Sequence, residues 1–351
     1  MSALPFRIGL VGSGGISRTY MAALQQVPEG RAVAVWSRTR ENATRFGREF
    51  DLALATDRLD QLLAEVDVVC VNSPNACHAE HAVAAARAGK HVIVEKPLAV
   101  SLEQGEAIVR ACREAGVGLA YAEELPFVPK FARDREILRS GSLGEPVTLI
   151  QREAHAGPYS PWFFTREEAG GGVLMDMACH SIECVRWVLG KPAVRAVSAQ
   201  LATTAVHRER TQLEDHAVVH LEFEGATTAL CEASWALQGG MQSRLEIWGS
   251  KGTLEVDLLQ GTGMRLFTAG KWSTPLADWV AENGYPQELS HFLRCFASGE
   301  TPEESGEDGL AVLEILCAAY ASAREGRRIE LPFRPPNVER AVDLWLGPAR
   351  R

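Results

Sequence analysis

The apolar positions of this chain fall into two textures. In the first third, short unbroken apolar runs at 8–11, 32–36, 66–71, 91–95 and 117–121 alternate with stretches of helical spacing at 41–50, 57–65, 78–89 and 102–115. An apolar run without alternation marks a strand buried on both faces, and strands alternating with helices predict βαβ units and a parallel sheet. After a helical stretch ending near Ser140 the texture changes. Residues 146–153, 194–202, 215–223, 227–235, 244–248 and 253–258 read as strands with mostly hairpin-sized gaps, which predicts a largely antiparallel sheet. Helices are expected at 176–189, 284–298 and 306–325, and the tail is Pro-rich and then amphipathic. The expected fold class is therefore α/β, a doubly wound parallel sheet followed by an α+β domain with an open, mainly antiparallel sheet. The expected boundaries are 1–125, 126–331 and a tail at 332–351.

The first strand breaks into Gly12-Ser13-Gly14-Gly15, and a helix opens at Ile16. A strand, a tight Gly turn and a helix N-terminus together form a site for a pyrophosphate, which accepts from backbone N–H groups at the positive end of the helix dipole. Gly12 and Gly14 fill the first two positions of G-x-G-x-x-G, and Ser17 stands at the third. The competing reading is an ordinary βα turn. An NAD site of this type ends its second strand in Asp or Glu, for the ribose hydroxyls. Here the strand runs into Ser37-Arg38-Thr39-Arg40. A hydroxyl and guanidinium groups suit a 2′-phosphate, so the expected cofactor is NADP or NAD, with a lean to NADP. Against this, Arg38 and Arg40 also read as solvated charges opening the next helix.

Length and composition fit two globular domains. The 351 residues are 46% hydrophobic and 23% charged, with a net charge of −9. That charge argues against nucleic acid and anionic membranes as partners. No apolar run reaches membrane-spanning length, and strand-like sequence begins almost at once, leaving no room for a signal peptide. The eight cysteines form no C-x-x-C pair and read as buried thiols of a reducing cytoplasm.

Three further clusters carry candidate chemistry. Ser73-Pro74-Asn75 follows the fourth strand at its carboxyl end, where open α/β sheets bind ligands, and leads to His78. The alternative is a Pro-bearing turn capping a helix. Glu95-Lys96-Pro97 follows the fifth strand. A low-dielectric cleft would pull down the pKa of Lys96; the alternative is a snorkelling Lys paired with Glu95. The third cluster is Gly170-Gly171-Gly172-Val173-Leu174-Met175-Asp176-Met177-Ala178-Cys179-His180. Asp176 and His180, four apart, share a helix face, where a carboxylate can fix the imidazole tautomer. The glycines allow close backbone approach to a ligand. Helical Asp/His pairs are more often structural, and no set of ligands at zinc spacing appears, so no metal is expected.

The ordered set GSGGIS, SPNACH at 73–78, EKP at 95–97 and GGGVLMDMACH at 170–180, with LGEP at 143–146 and GEDGL at 306–310, resembles the glucose–fructose oxidoreductase / inositol dehydrogenase / rhizopine-catabolism (Gfo/Idh/MocA) family over about 7–331. The resemblance implies a Rossmann domain, then a domain with an open sheet through which members form dimers or tetramers. It implies an NAD(P)-dependent oxidoreductase acting on a secondary alcohol of a sugar, polyol or inositol-like ring. Lys96, Asp176 and His180 would be catalytic. Gly12, Ser13, Gly14, Gly15, Ile16, Ser37, Arg38, Ser73, Pro74, Asn75, His78, Glu95, Lys96 and Pro97 would face the cofactor, with Lys96–Pro97 cis. Ala178, Glu183 and Glu124 depart from the family's usual Gly, Asp and Asn. Glu124 bears on the substrate, which no named member therefore supplies. Two alternatives share the scaffold: a redox-dependent glycosidase and a non-catalytic dinucleotide-binding regulator. The regulator reading expects the Lys and His to be lost, and both are present.

Overall fold

The computed structural model describes residues 4–259, 263–276, 283–336 and 338–348. In chain order the elements are β1 Phe6–Val11, α1 Gly15–Leu24, β2 Gly30–Trp36, α2 Arg40–Glu49, β3 Leu54–Thr56, α3 Leu59–Glu65, β4 Val68–Val71, α4 His78–Arg87, β5 His91–Glu95, α5 Leu102–Ala115 and β6 Leu119–Ala122. They continue with α6 Pro129–Arg139, β7 Pro146–His155, α7 Arg166–Ala169, a π-helical segment Leu174–Ala178, α8 Cys179–Val188, β8 Val194–Ala202, β9 His216–Phe223, β10 Thr228–Ser234, β11 Met241–Gly249, β12 Gly252–Asp257, β13 Met264–Thr268 and β14 Lys271–Ser273. The last are α9 Tyr285–Ser298, α10 Gly306–Glu325, β15 Ile329–Glu330 and α11 Asp343–Leu346.

The chain divides into two compact units, 1–124 with 284–311, and 125–283 with 312–351. The first holds a six-stranded parallel sheet in the order β3-β2-β1-β4-β5-β6, a doubly wound arrangement. Its central strands are apolar because both faces are covered: all four residues of β4 are inaccessible to solvent. The three-residue β3 is too short to leave a period in the sequence. Residues 284–311 join this unit because α9 presents an apolar stripe to it. Phe296 stacks on His91 at 4.8 Å, and Leu293 fills the space over Gly30.

The second unit is a nine-stranded sheet in the order β14-β13-β12-β11-β7-β10-β9-β8-β15. It is antiparallel except for β7 and β10, which pair in parallel with Thr228 opposite Thr148. One face is apolar and carries α8, every residue of which is buried. The strands alternate as a one-sided sheet requires: Ala217, Val219, Leu221 and Phe223 of β9 are buried, while His216, Val218, His220 and Glu222 point to the other face. That outer face is more polar than the sequence suggested. Ile150, Val218 and Leu230 share it with the ion pairs Arg152–Glu232 and Arg265–Glu255. Trp235, at the end of the strand expected over 227–235, is fully buried.

Among the described residues the tail makes contacts at α7 and α10. Val342 donates its N–H to Gly170, Arg166 pairs with Asp343, and the N–H of Phe333 is accepted by Glu314 of α10.

Candidate functional site

The cofactor-side residues lie in the first unit, at the carboxyl ends of β1, β2, β4 and β5. Gly12 has φ +121°, and a Cβ there would lie 2.4 Å from the carbonyl oxygen of Asn72, so only glycine fits. Around Gly14 and Gly15 the opposite holds: a Cβ on either meets nothing within 4 Å. Gly14 is the N-cap of α1, with no side chain capping the helix and no acidic residue in its first turn. The positive end of α1 is thus open to an anionic group. Ser17, at the third position of the Gly pattern, is fully buried. Its hydroxyl donates to the carbonyl of Gly12 at 2.8 Å and accepts from the Asn72 amide at 3.2 Å, which ties the turn to the strand beside it.

The other loops are fixed by buried polar contacts. Ser13 donates to Ser37 at 3.0 Å, and Ser37 is almost buried at the end of β2. Arg38 is exposed, while Arg40 opens α2 and lies 3.6 Å from Asp57. Thr39 caps α2 by accepting from Asn42. His78 sits between the two loops of the sequence prediction, its ring nitrogens each 2.9 Å from the carbonyls of Pro97 and Ser73. Burial lowers its pKa to about 4, so the ring is neutral at pH 7. His81 lies 2.9 Å from the Ser73 hydroxyl. Asn75 is buried and Pro74 half-buried in the same loop. Lys96–Pro97 is cis. Glu95 is buried, accepts from the Lys96 N–H at 3.1 Å, and has its pKa raised to about 8 by burial. Its neighbour Lys96 is half-buried, and the Lys96 charge opposes that rise.

Asp176 and His180 lie in the second unit and are both nearly buried. The sequence reading placed them on one α-helix. The structure puts Asp176 in the π-helical segment and His180 at the second residue of α8. Single-turn π segments are rare and are often found at functional sites. The carboxylate of Asp176 accepts from the indole Nε1 of Trp235 at 2.9 Å, and His155 Nε2 is 3.9 Å away. The N–H of Gly157 donates to His155 Nδ1 at 3.0 Å, so the ring proton of neutral His155 is on Nε2, facing Asp176. His155 and Trp235 were missed in the sequence. His155 closes a strand with no motif around it, and Trp235 reads as one more apolar strand residue.

Two of the three glycines before Asp176 leave space that the protein itself fills. A Cβ on Gly171 would lie 2.1 Å from the Tyr320 hydroxyl, and one on Gly172 would lie 2.0 Å from the Glu214 carbonyl. Glu214 is fully buried, and its Oε1 accepts from the N–H groups of Gly172 and Leu174 and from Tyr320. Burial raises its pKa to about 7. Glu183, where the family commonly has Asp, is buried between Arg186 and Lys191. This is a structural ion pair and accounts for the longer side chain.

A doubly wound domain with an uncapped helix N-terminus after its first strand, followed by an open-sheet domain with a buried Asp/His pair, defines a two-domain dinucleotide-dependent oxidoreductase. Residues 6–123 match the family described as "Oxidoreductase family, NAD-binding Rossmann fold", and residues 131–255 match the Gfo/Idh/MocA C-terminal domain. The chain belongs to the Gfo/Idh/MocA oxidoreductase family. It is 28% identical to 1,5-anhydro-D-fructose reductase of Ensifer adhaerens, with 93% of this chain and 98% of that protein covered. It is 29% identical to D-xylose 1-dehydrogenase (NADP(+)) 2 of Haloferax volcanii, over 92% and 99%. Among solved structures, GenD2 from gentamicin A biosynthesis in complex with NAD superposes with a TM-score of 0.85 at 31% identity, over 94% of this chain and 97% of that one. This protein is an NAD(P)-dependent oxidoreductase.

Proposed function

We propose that the protein transfers hydride between a nicotinamide cofactor and a secondary alcohol or ketone of a sugar, polyol or inositol-like molecule. The observation that carries the reading is the open N-terminus of α1 at Gly14–Gly15, in a chain whose relatives are sugar reductases and dehydrogenases. Ser13, Ile16, Ser37, Arg38 and the loops at 73–75 and 95–97 complete the cofactor site, and His78 holds those two loops together. Bound there, the dinucleotide supplies the hydride acceptor or donor. The alcohol proton passes to His180 while the Lys96 ammonium stabilises the developing alkoxide, or it passes to the neutral amine of Lys96. Asp176 orients the substrate hydroxyl or His180. The test is a panel of sugars, polyols and glycosides followed at the nicotinamide absorbance with both cofactors. No change with any member would sink the reading. The glycosidase alternative draws no support, because the relatives named are reductases and dehydrogenases.

The end of β2 carries no carboxylate to repel a 2′-phosphate, and Arg38 is exposed beside it. NADP is therefore expected to bind more tightly than NAD, a charge-assisted contact contributing about 1.5–3 kcal/mol. Calorimetry with the two cofactors checks this, and tighter NAD binding would refute it.

Trp235→Phe keeps the ring but removes the donor to Asp176. A charge-assisted bond in a buried site is worth about 1.5–3 kcal/mol, so kcat is expected to fall roughly 10- to 100-fold. Full activity would remove Trp235 from the site.

We further propose that two copies pair through the outer face of the large sheet. Among the described residues the tail contacts reported above lie elsewhere, and Val218, His216 and His220 line an open depression of about 760 Å³ on that face. Light scattering should give a mass of at least twice 38.2 kDa at micromolar concentration. A cytoplasmic location is in keeping with eight free cysteines, seven of them buried, and no described helix is long and apolar enough to cross a membrane.

A further inference from the structure

The segment after β7 holds four aromatic side chains, of which Tyr159 is exposed and Trp162, Phe163 and Phe164 are half-buried. Tyr159 is 97% exposed and lies nearly parallel to His155, 12° between planes and 6.3 Å between centroids. Pro158 and Pro161 flank it, so two φ angles are preset and little freedom remains to be lost on binding. Beyond it, Trp162 stacks on Phe163 at 3.7 Å, and Phe163 meets buried Trp235 edge-on at 6.5 Å. Phe164 is backed by Arg210, 3.8 Å from the ring centroid. An aromatic wall therefore runs from the Trp235 and His155 side chains that face Asp176 out to solvent.

We propose that Tyr159, with His155 and the Trp162–Phe163 pair, forms a second sugar subsite beside Asp176, and that the substrate is a glycoside or oligosaccharide rather than a free monosaccharide. The inference rests on the proposed sugar chemistry and extends it. The Asp176 carboxylate is 3.9 Å from His155 Nε2, and the Tyr159 ring is 6.3 Å from the His155 ring. In the proposed subsite the ring that presents its hydroxyl to Asp176 lies against His155, and the ring attached to it lies against Tyr159. A pyranose offers the matching surface, a face of C–H groups attracted to the negative face of an aromatic ring and a rim of hydroxyls left in water. The Tyr159 phenol offers a hydroxyl at its rim for the sugar's own hydroxyls.

The test is calorimetry on the full chain with glucose, xylose and myo-inositol against maltose, cellobiose and lactose. At least one disaccharide should bind about 3- to 10-fold more tightly than any monosaccharide, the increment expected of one aromatic stack. In Tyr159→Ala the ratio of disaccharide to monosaccharide affinity should fall towards one, and Tyr159→Phe should restore it. Equal affinities for the two groups, or a ratio unmoved in Tyr159→Ala, would overturn the subsite. So would a change of oligomeric mass in Tyr159→Ala, which would assign the side chain to a second copy of the chain. The two proposals fail separately. Disaccharide binding without oxidation of any sugar defeats the reaction and leaves the subsite. Monosaccharide oxidation with no disaccharide gain defeats the subsite and leaves the reaction.

Discussion

Lys96→Ala and His180→Ala should each lower kcat by about 10²- to 10⁴-fold, the usual loss when a positioned proton-transfer group is removed. Cofactor affinity should stay near that of the unchanged protein. The two variants should differ in their pH dependence. A general base sets the acidic limb of the kcat profile, since it must be unprotonated to accept the alcohol proton. Loss of that limb in His180→Ala, with Lys96→Ala merely slow across the range, would make His180 the base and Lys96 the charge that stabilises the alkoxide. The reverse pattern would exchange the roles. Glu95, whose pKa burial raises to about 8, gains its charge beside Lys96 towards the alkaline end of the range, so the comparison is made on the acidic side. Steady-state rates from pH 5 to 9 provide the measurement, and full turnover by either variant would remove that residue from the chemistry.

Gly14→Asp should have two effects of opposite sign. Gly14 has extended backbone (φ −84°, ψ −166°) at the N-cap of a helix with no other cap, and its Cβ position is open. Asp is among the best N-cap residues, and it exceeds Gly there by about a few tenths of a kcal/mol. The cofactor-free protein should therefore melt at the same temperature or higher. The carboxylate would occupy the space and the helix-dipole field proposed for the pyrophosphate, and dinucleotide binding should weaken by at least about 100-fold. Thermal melts with and without cofactor read both effects at once. A stabilised variant that keeps its cofactor-dependent melting shift would show that the dinucleotide binds elsewhere.

The first unit was legible in the sequence because its signals are local. Strands buried on both faces leave unbroken apolar runs, and a turn that admits only Gly12 leaves a glycine. The second unit was legible as strands but not as pairings. The parallel partnership of β7 and β10 joins residues 80 positions apart, and neither strand differs in pattern from its antiparallel neighbours. The candidate site divides in the same way. Asp176 and His180 are visible as a spacing, whereas the π-helical register depends on what lies opposite. Gly171 and Gly172 were read as room for a ligand, but the space they leave is filled by Tyr320 and Glu214, more than 40 residues downstream. Trp235 looks the same on either face of a strand, and only the register decides that its indole meets a carboxylate.

Ser17 has a consequence for anyone who would idealise this sequence. Measured against a dinucleotide fingerprint it is a blemish, and consensus engineering would restore Gly or Ala there. Yet its hydroxyl is the shared partner of the Gly12 carbonyl and the Asn72 amide. The restored consensus would leave the buried Asn72 amide and the half-buried Gly12 carbonyl without this partner and uncouple the turn from the neighbouring strand, so the repair would damage the part it was meant to perfect.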